Sequence, residues 1–93
     1  MHVEIITPET KIFSGEAQSV QLPGLDGSFQ VLNNHAPIIS GLAAGTVKVE
    51  LEKAFEGEAG KHLEIDSNKT TLRVAIKGGV IELLNNKVVV LAE

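Results

Sequence analysis

The chain has 93 residues, with 8 Lys and Arg against 12 Asp and Glu, and a formal net charge of −4. That length suits one domain, residues 1–93, with a thin core. The acidic balance, with no Trp or Tyr, argues against nucleic-acid binding and against docking on anionic lipid; with no Cys there is no disulfide framework, thiolate metal site or Cys nucleophile.

In chain order the pattern is almost entirely β. Val3 and Ile5 alternate with His2 and Glu4, Val20 and Leu22 with Ser19 and Gln21, and Phe29 and Val31 with Ser28 and Gln30. Thr46–Glu52 alternates strictly, placing Val47, Val49 and Leu51 on one side and charges on the other. His62–Asp66 and Thr71–Lys77 repeat the pattern, the latter turning Leu72, Val74 and Ile76 inward. Period two is the mark of a half-buried strand. The last run, Lys87–Ala92, is apolar in both phases and predicts a strand covered on two sides. Turn signals lie at Thr7-Pro8-Glu9, Ser14-Gly15-Glu16, Pro23–Gly27 and Ala44-Gly45-Thr46, and Asn85-Asn86 suits a two-residue hairpin. Gly78-Gly79 predicts a bulge or bend rather than close approach by another backbone. Short strands with frequent turns point to a sandwich or small barrel with little or no helix. Glu52 to Lys69, with Glu56, Glu58, Gly57 and Gly60, predicts an exposed, mobile hairpin excursion. Residues 1–8 have no basic start or long apolar run, so no signal peptide is expected. Nor does any stretch approach the roughly 18 apolar residues of a membrane span.

Chemistry is hard to find. His2, His35 and His62 share no ligand spacing, so no metal site is expected. His35 lies in the polar stretch Asn33–Pro37 with no adjacent nucleophile, and suits a structural or interface role. The carboxylates fall on polar strand faces, without the enclosure that separates the pKa values of a catalytic pair. Gly57–Lys61 lacks the spacing and the hydroxyl residue of a phosphate loop. No catalytic residue and no cofactor-binding residue is expected.

Four segments, in order, resemble a known family: Ile12-Phe13-Ser14-Gly15-Glu16-Ala17; Leu22-Pro23-Gly24 with Asp26-Gly27-Ser28-Phe29; Asn34-His35-Ala36-Pro37-Ile38-Ile39; and Gly78-Gly79-Val80-Ile81-Glu82 with Val88–Ala92. Together they look like the N-terminal β domain of the epsilon subunit of bacterial F-type ATP synthase. The resemblance implies an all-β fold, a flattened ten-stranded β-sandwich or barrel of two sheets. It implies a non-catalytic rotor subunit of the central stalk, peripheral on the cytoplasmic face of the bacterial inner membrane. Such a subunit attaches gamma to the c-ring, without entering the membrane, and couples ion translocation to ATP synthesis. Carried over by position, Gly24, Leu25, Asp26, Gly27 and Ser28 would face the c-ring, and Thr7, Pro8, His35 and Ser40 would face gamma, with the His35 loop near the Gly24 turn. Gln30 and Asn33 stand where the family often has a Gly and a Pro-containing turn. Because the residues end at Glu93, the two-helix C-terminal domain of many relatives is expected to be absent. Neither ATP binding nor inhibition of hydrolysis is then expected. The competing readings are a free-standing ligand- or protein-binding β-sandwich module and a small hydrolase. Only Phe13, Phe29 and Phe55 could line an aromatic pocket, and no triad is evident.

Overall fold

The computed structural model describes residues 1–57 and 59–93. Nine strands run in chain order among them: β1 His2–Ile6, β2 Lys11–Gly24, β3 Gly27–Leu32, β4 Ile38–Leu42, β5 Gly45–Leu51, β6 Glu64–Ile65, β7 Thr71–Ile76, β8 Gly79–Leu84 and β9 Lys87–Ala92. No helix appears among the described residues. The all-β expectation therefore holds, with nine strands here.

Strand β2 explains how so few strands close two layers. It is 14 residues long, more than one layer needs. Its first half pairs β1, from His2 opposite Glu16 to Ile6 opposite Lys11. Its second half pairs β5 on one edge and β3 on the other. Between Ala17 and Ser19 the register with β5 shifts, and this irregularity lets one strand pass between layers. One layer is thus β4-β8-β9-β1 with the start of β2, and the other is β3, the end of β2, β5, β7 and β6. The body measures 31 × 27 × 21 Å, in keeping with a flattened sandwich.

The core lies where the inward phases meet. Val3 and Ile5, Ile81 and Leu83, and Val88 and Val90 come from the first layer. Val20, Leu22, Val31, Val47, Val49, Leu72 and Val74 come from the second, and none of these is more than 1% exposed. Each such side chain is worth about 1.5–3 kcal/mol on burial. Val47, Val49, Leu51, Leu72, Val74 and Ile76 are all buried, as their alternation predicts.

Three local expectations need correction or refinement, and a fourth, the Asn85-Asn86 hairpin, holds. Ser14-Gly15-Glu16 is not a turn but the middle of the first half of β2. Glycine serves there because the Phe13 ring lies over it, with Cζ 2.8 Å from the site of a Cβ. The Gly78-Gly79 step is a close backbone approach as well as a bend. Both residues have φ near +150°, and a Cβ on Gly79 would overlap the Leu91 carbonyl oxygen. Asn85 and Asn86 both take positive φ, 51° and 59°, which makes the expected hairpin turn. The excursion after β5 is mostly exposed but is tied down. Leu63 is buried, Phe55 and Ile65 pack on the core, and the Phe55 N–H donates to the Lys69 carbonyl at 2.7 Å. Its residue Glu58 lies outside the described residues.

Candidate functional site

The turn residues singled out by the sequence lie on a rim of the sandwich. Gly24 pairs Gly27 across a two-residue turn of Leu25 and Asp26, and Gly27 supplies the positive φ of 122° that closes it. This turn leans on the end of β4. The Leu25 N–H donates to the Gly41 carbonyl at 3.3 Å, and the Ala43 N–H donates to the Pro23 carbonyl at 2.7 Å. Leu25, Asp26, Gly27 and Ser28 are exposed. Thr7 and Pro8 form the β1–β2 turn, where the Thr7 N–H donates to the Thr10 carbonyl at 2.8 Å and the Thr10 N–H donates to Thr7 Oγ1 at 3.1 Å. They share a shallow hollow with Ile76, Lys77, Ala92 and Glu93.

His35 is elsewhere. Strand β4 begins at Ile38, beside the His35 loop, and ends at Leu42, which pairs Gly24. The His35 loop is therefore at the other end of β4 from the Gly24 turn, not close to it as expected. Asn33 and Asn34 fasten it there: Met1 N bonds Asn33 Oδ1, and the Asn34 N–H donates to Asn86 Oδ1 at 2.7 Å. His35 is exposed and its Nδ1–H donates to the Ala36 carbonyl at 2.7 Å. Ser40 sits mid-strand opposite the fully buried Ile81, so it shares the inward phase and is half-buried. Thr7, Pro8, His35 and Ser40 do not form one patch.

The feature missed by the sequence reading lies on the outward side of the first layer. Strand β9 is hydrogen-bonded along both edges, by β1 and β8, yet only one of its faces is covered. Leu91 is 53% exposed, which corrects the expectation of a strand buried on two sides. Val80 stands opposite Leu91, and Gly41 stands opposite Val80. Ile39, two residues before Gly41, is 76% exposed, and Leu84 is 50% exposed. With Leu25 over Gly41, these residues make an uncovered, largely apolar band across β4, β8 and β9, interrupted by Glu82, which stands opposite Ile39 and lies between Val80 and Leu84 on β8. The signal was legible: Ile38-Ile39, Val80-Ile81 and Leu83-Leu84 are apolar in both phases. A double-phase run says that both faces want covering, but it does not say that the chain itself does so.

Beside the band the same layer is charged. Glu4 meets Lys11 at 3.5 Å and Lys87 at 3.9 Å. His2 lies between Glu16, 2.7 Å from Nδ1, and Glu4, 3.5 Å from Nε2. Desolvation pushes the Glu4 carboxyl up, but Lys11 and Lys87, with hydrogen bonds from His2 and Lys11, outweigh it and hold it below its ordinary value. Among the described residues no group of three or more His, Asp or Glu is set to hold a metal ion. No buried side-chain polar atom among them lacks a partner.

A family profile described as "ATP synthase, Delta/Epsilon chain, beta-sandwich domain" matches residues 1–93. The chain belongs to this family. Relatives named ATP synthase epsilon chain include one from Salinibacter ruber, 37% identical over 91 residues, and one from Campylobacter curvus, 40% identical over 93. A third, from Chlorobium limicola, is 36% identical over 91 residues. These alignments take in 98%, 100% and 98% of this chain, but 56%, 60% and 86% of the relatives. The chain thus spans little more than half the length of the first two. Among solved structures the fold resembles a chain of the Tetrahymena thermophila mitochondrial ATP synthase central stalk and c-ring. That match has a TM-score of 0.72 at 16% identity, over 99% of this chain and 62% of the other. A chain of the Euglena gracilis mitochondrial ATP synthase OSCP/F1/c-ring assembly gives 0.74 at 17% identity, over 97% and 48%. At such identities the likeness speaks for the fold, and in this family the fold is a β-sandwich.

Proposed function

We propose that this chain is a central-stalk subunit of an F-type ATP synthase that does no chemistry and joins gamma to the c-ring. In this reading it lies peripherally on the cytoplasmic face of a bacterial inner membrane. Among the described residues no helix is long and apolar enough to cross a membrane. The observation that carries the proposal is the family match over the full 93 residues, joined to an uncovered apolar band on the folded chain. A rotor body has to be stiff and has to offer two contacts. Stiffness comes from interstrand bonds that continue through β2 into both layers. The band of Ile39, Val80, Leu84 and Leu91 is the surface we give to gamma, since aliphatic side chains of this exposure want a protein partner. The rim turn Gly24–Ser28 is the surface we give to the polar loops of the c-ring. Thr7 and Pro8 lie at the edge of the gamma contact, whereas His35 and Ser40 support strand β4 from its far end and its inward side.

The test is co-expression with tagged gamma and c subunits of the same organism. Retention of the chain on gamma, and loss of ATP-driven ion pumping when the chain is left out, is the expected outcome. A folded chain that is never retained on gamma would remove the rotor reading.

A further inference from the structure

The rim turn carries one side chain that folds back onto the neighbouring strand β4. Leu25 is 69% exposed, yet its Cδ1 lies 2.6 Å and its Cγ 3.4 Å from the place where a Cβ on residue 41 would stand. Leu25 is therefore folded back over the bare backbone of β4. Gly41 is not required there for its own conformation, because its φ is outside the left-handed region that favours glycine. What glycine supplies is space. Around that slot the backbone is fixed by the bonds from Leu25 N–H to the Gly41 carbonyl and from Ala43 N–H to the Pro23 carbonyl. Across the sheet Gly41 pairs Val80 and Val80 pairs Leu91. The leucine side chain thus fills the one position in that row where β4 offers no side chain.

We infer that Leu25 belongs to the apolar band and contacts the partner of that band, while Gly41 is a positioning residue that keeps the slot open for it. The turn is then divided. Its leucine continues the surface given above to gamma, and its polar residues Asp26 to Ser28 are left for the rim. This rests on the rotor reading for the identity of the partner, and on the geometry alone for the division of the turn.

The test is a double-mutant cycle read as affinity of the 93-residue chain for gamma, with thermal unfolding as the folding control. Leu25→Ala is expected to weaken binding about tenfold, the size of a modest hot spot. Gly41→Ala, whose methyl displaces Leu25, should weaken it several-fold with little change in stability, since only a mobile side-chain end has to move. The double variant should be no weaker than Leu25→Ala, because the added methyl matters only while the leucine is present. Gln21→Ala, on the opposite layer, should bind like the parent chain. Multiplicative losses in the double variant, or Leu25→Ala binding within about twofold of the parent, would overturn the assignment while leaving the rotor reading intact. Failure of the parent chain itself to bind gamma would overturn the rotor reading and the assignment with it.

Discussion

On the outward side of β8 and β9, Val80 stands opposite Leu91 and Glu82 opposite Val89. On the outward side of β5 and β7, Lys48 stands opposite Arg73 and Thr46 opposite Ala75. Both layers bury their inner phase equally well, with Ile81, Val88 and Val90 on one and Val47, Val49 and Val74 on the other at 0% exposure. The layers differ in what they leave outside, although the second also exposes one leucine, Leu32 at the end of β3, at 55%. The polar layer is self-sufficient: the like charges of Lys48 and Arg73 are answered by Glu50 at 3.7 Å and by Asp66, which takes two hydrogen bonds from the guanidinium at 3.2 Å. The apolar layer has no such internal answer for Ile39, Val80 or Leu91. The contrast teaches that alternation builds the fold, and that where it fails on one layer apolar side chains are left uncovered, the surface proposed above for a partner.

The largest effect should come from breaking the apolar layer from within. A side chain on Gly79 would drive into the Leu91 carbonyl and would also have to adopt φ of 150°. Gly79→Val is expected to cost about 3 kcal/mol or more. For a domain of this size that lowers the melting temperature by more than about 12 °C. Gly60→Ala, at a glycine with open space around it, should change it little. If both variants melt alike, the close approach of β8 to β9 is not what holds that layer.

A smaller but more telling effect separates the outer faces. Ile39→Asp and Gln30→Asp place the same charge on exposed strand positions of opposite layers. Ile39→Asp should lower retention on gamma about tenfold or more, because a carboxylate would be desolvated against an apolar contact. Gln30→Asp should leave it unchanged. Equal retention of the two would dissolve the distinction between the faces.

That distinction was only half legible in the sequence. Strict alternation in Thr46–Glu52 and Thr71–Lys77 identified β5 and β7 and their inward residues, because one phase was charged and could only face water. In Lys87–Ala92 both phases are apolar, and local pattern alone cannot say whether the second cover is a layer of the same chain or a partner. Ser14-Gly15-Glu16 misled for a different reason. A glycine flanked by polar residues signals a turn, but here it makes room for the Phe13 ring within one face of β2. The site residues were placed by turn chemistry and resemblance, which located the Gly24 turn and the Thr7 turn on the surface. Neither could reveal that β4 holds His35 and Gly24 apart, nor that Ser40 falls in the inward phase opposite Ile81, since both follow from the pairing of β4 with β8 and β2.

On the polar layer the effects should be slight. Arg73 is held more firmly protonated than usual, first by its hydrogen bonds to Asp66 and then by the charge of Asp66. Both side chains are more than a third exposed, so solvent screens the pair. Asp66→Asn is expected to leave the urea unfolding midpoint little changed. It should leave gamma binding untouched. A larger loss of stability would mean that the short strand β6, next to Asp66, depends on the pair for its place against β7.

The smallest effect is a pH dependence at the charged end of the apolar layer. Burial raises the Glu4 carboxyl, but Lys11 and Lys87 and the hydrogen bonds from His2 and Lys11 bring it below the ordinary 4.5. A carboxyl depressed in the folded chain binds its proton less readily there than in the unfolded chain. Its contribution to stability is therefore complete above the unfolded value and is lost as pH falls through the folded one. Glu4→Gln should melt slightly below the parent at pH 7, and the two curves should converge as the pH drops below about 4.5, where the parent carboxyl also becomes neutral. Raising the salt to about 1 M, which shortens the screening length to about 3 Å, should close the same gap at neutral pH, because the lysines act on Glu4 through charge. A gap that persists at acid pH would assign the role of Glu4 to packing between β1 and β9 rather than to its charge, and the charged end of this layer would then be structural in the same way as its apolar centre.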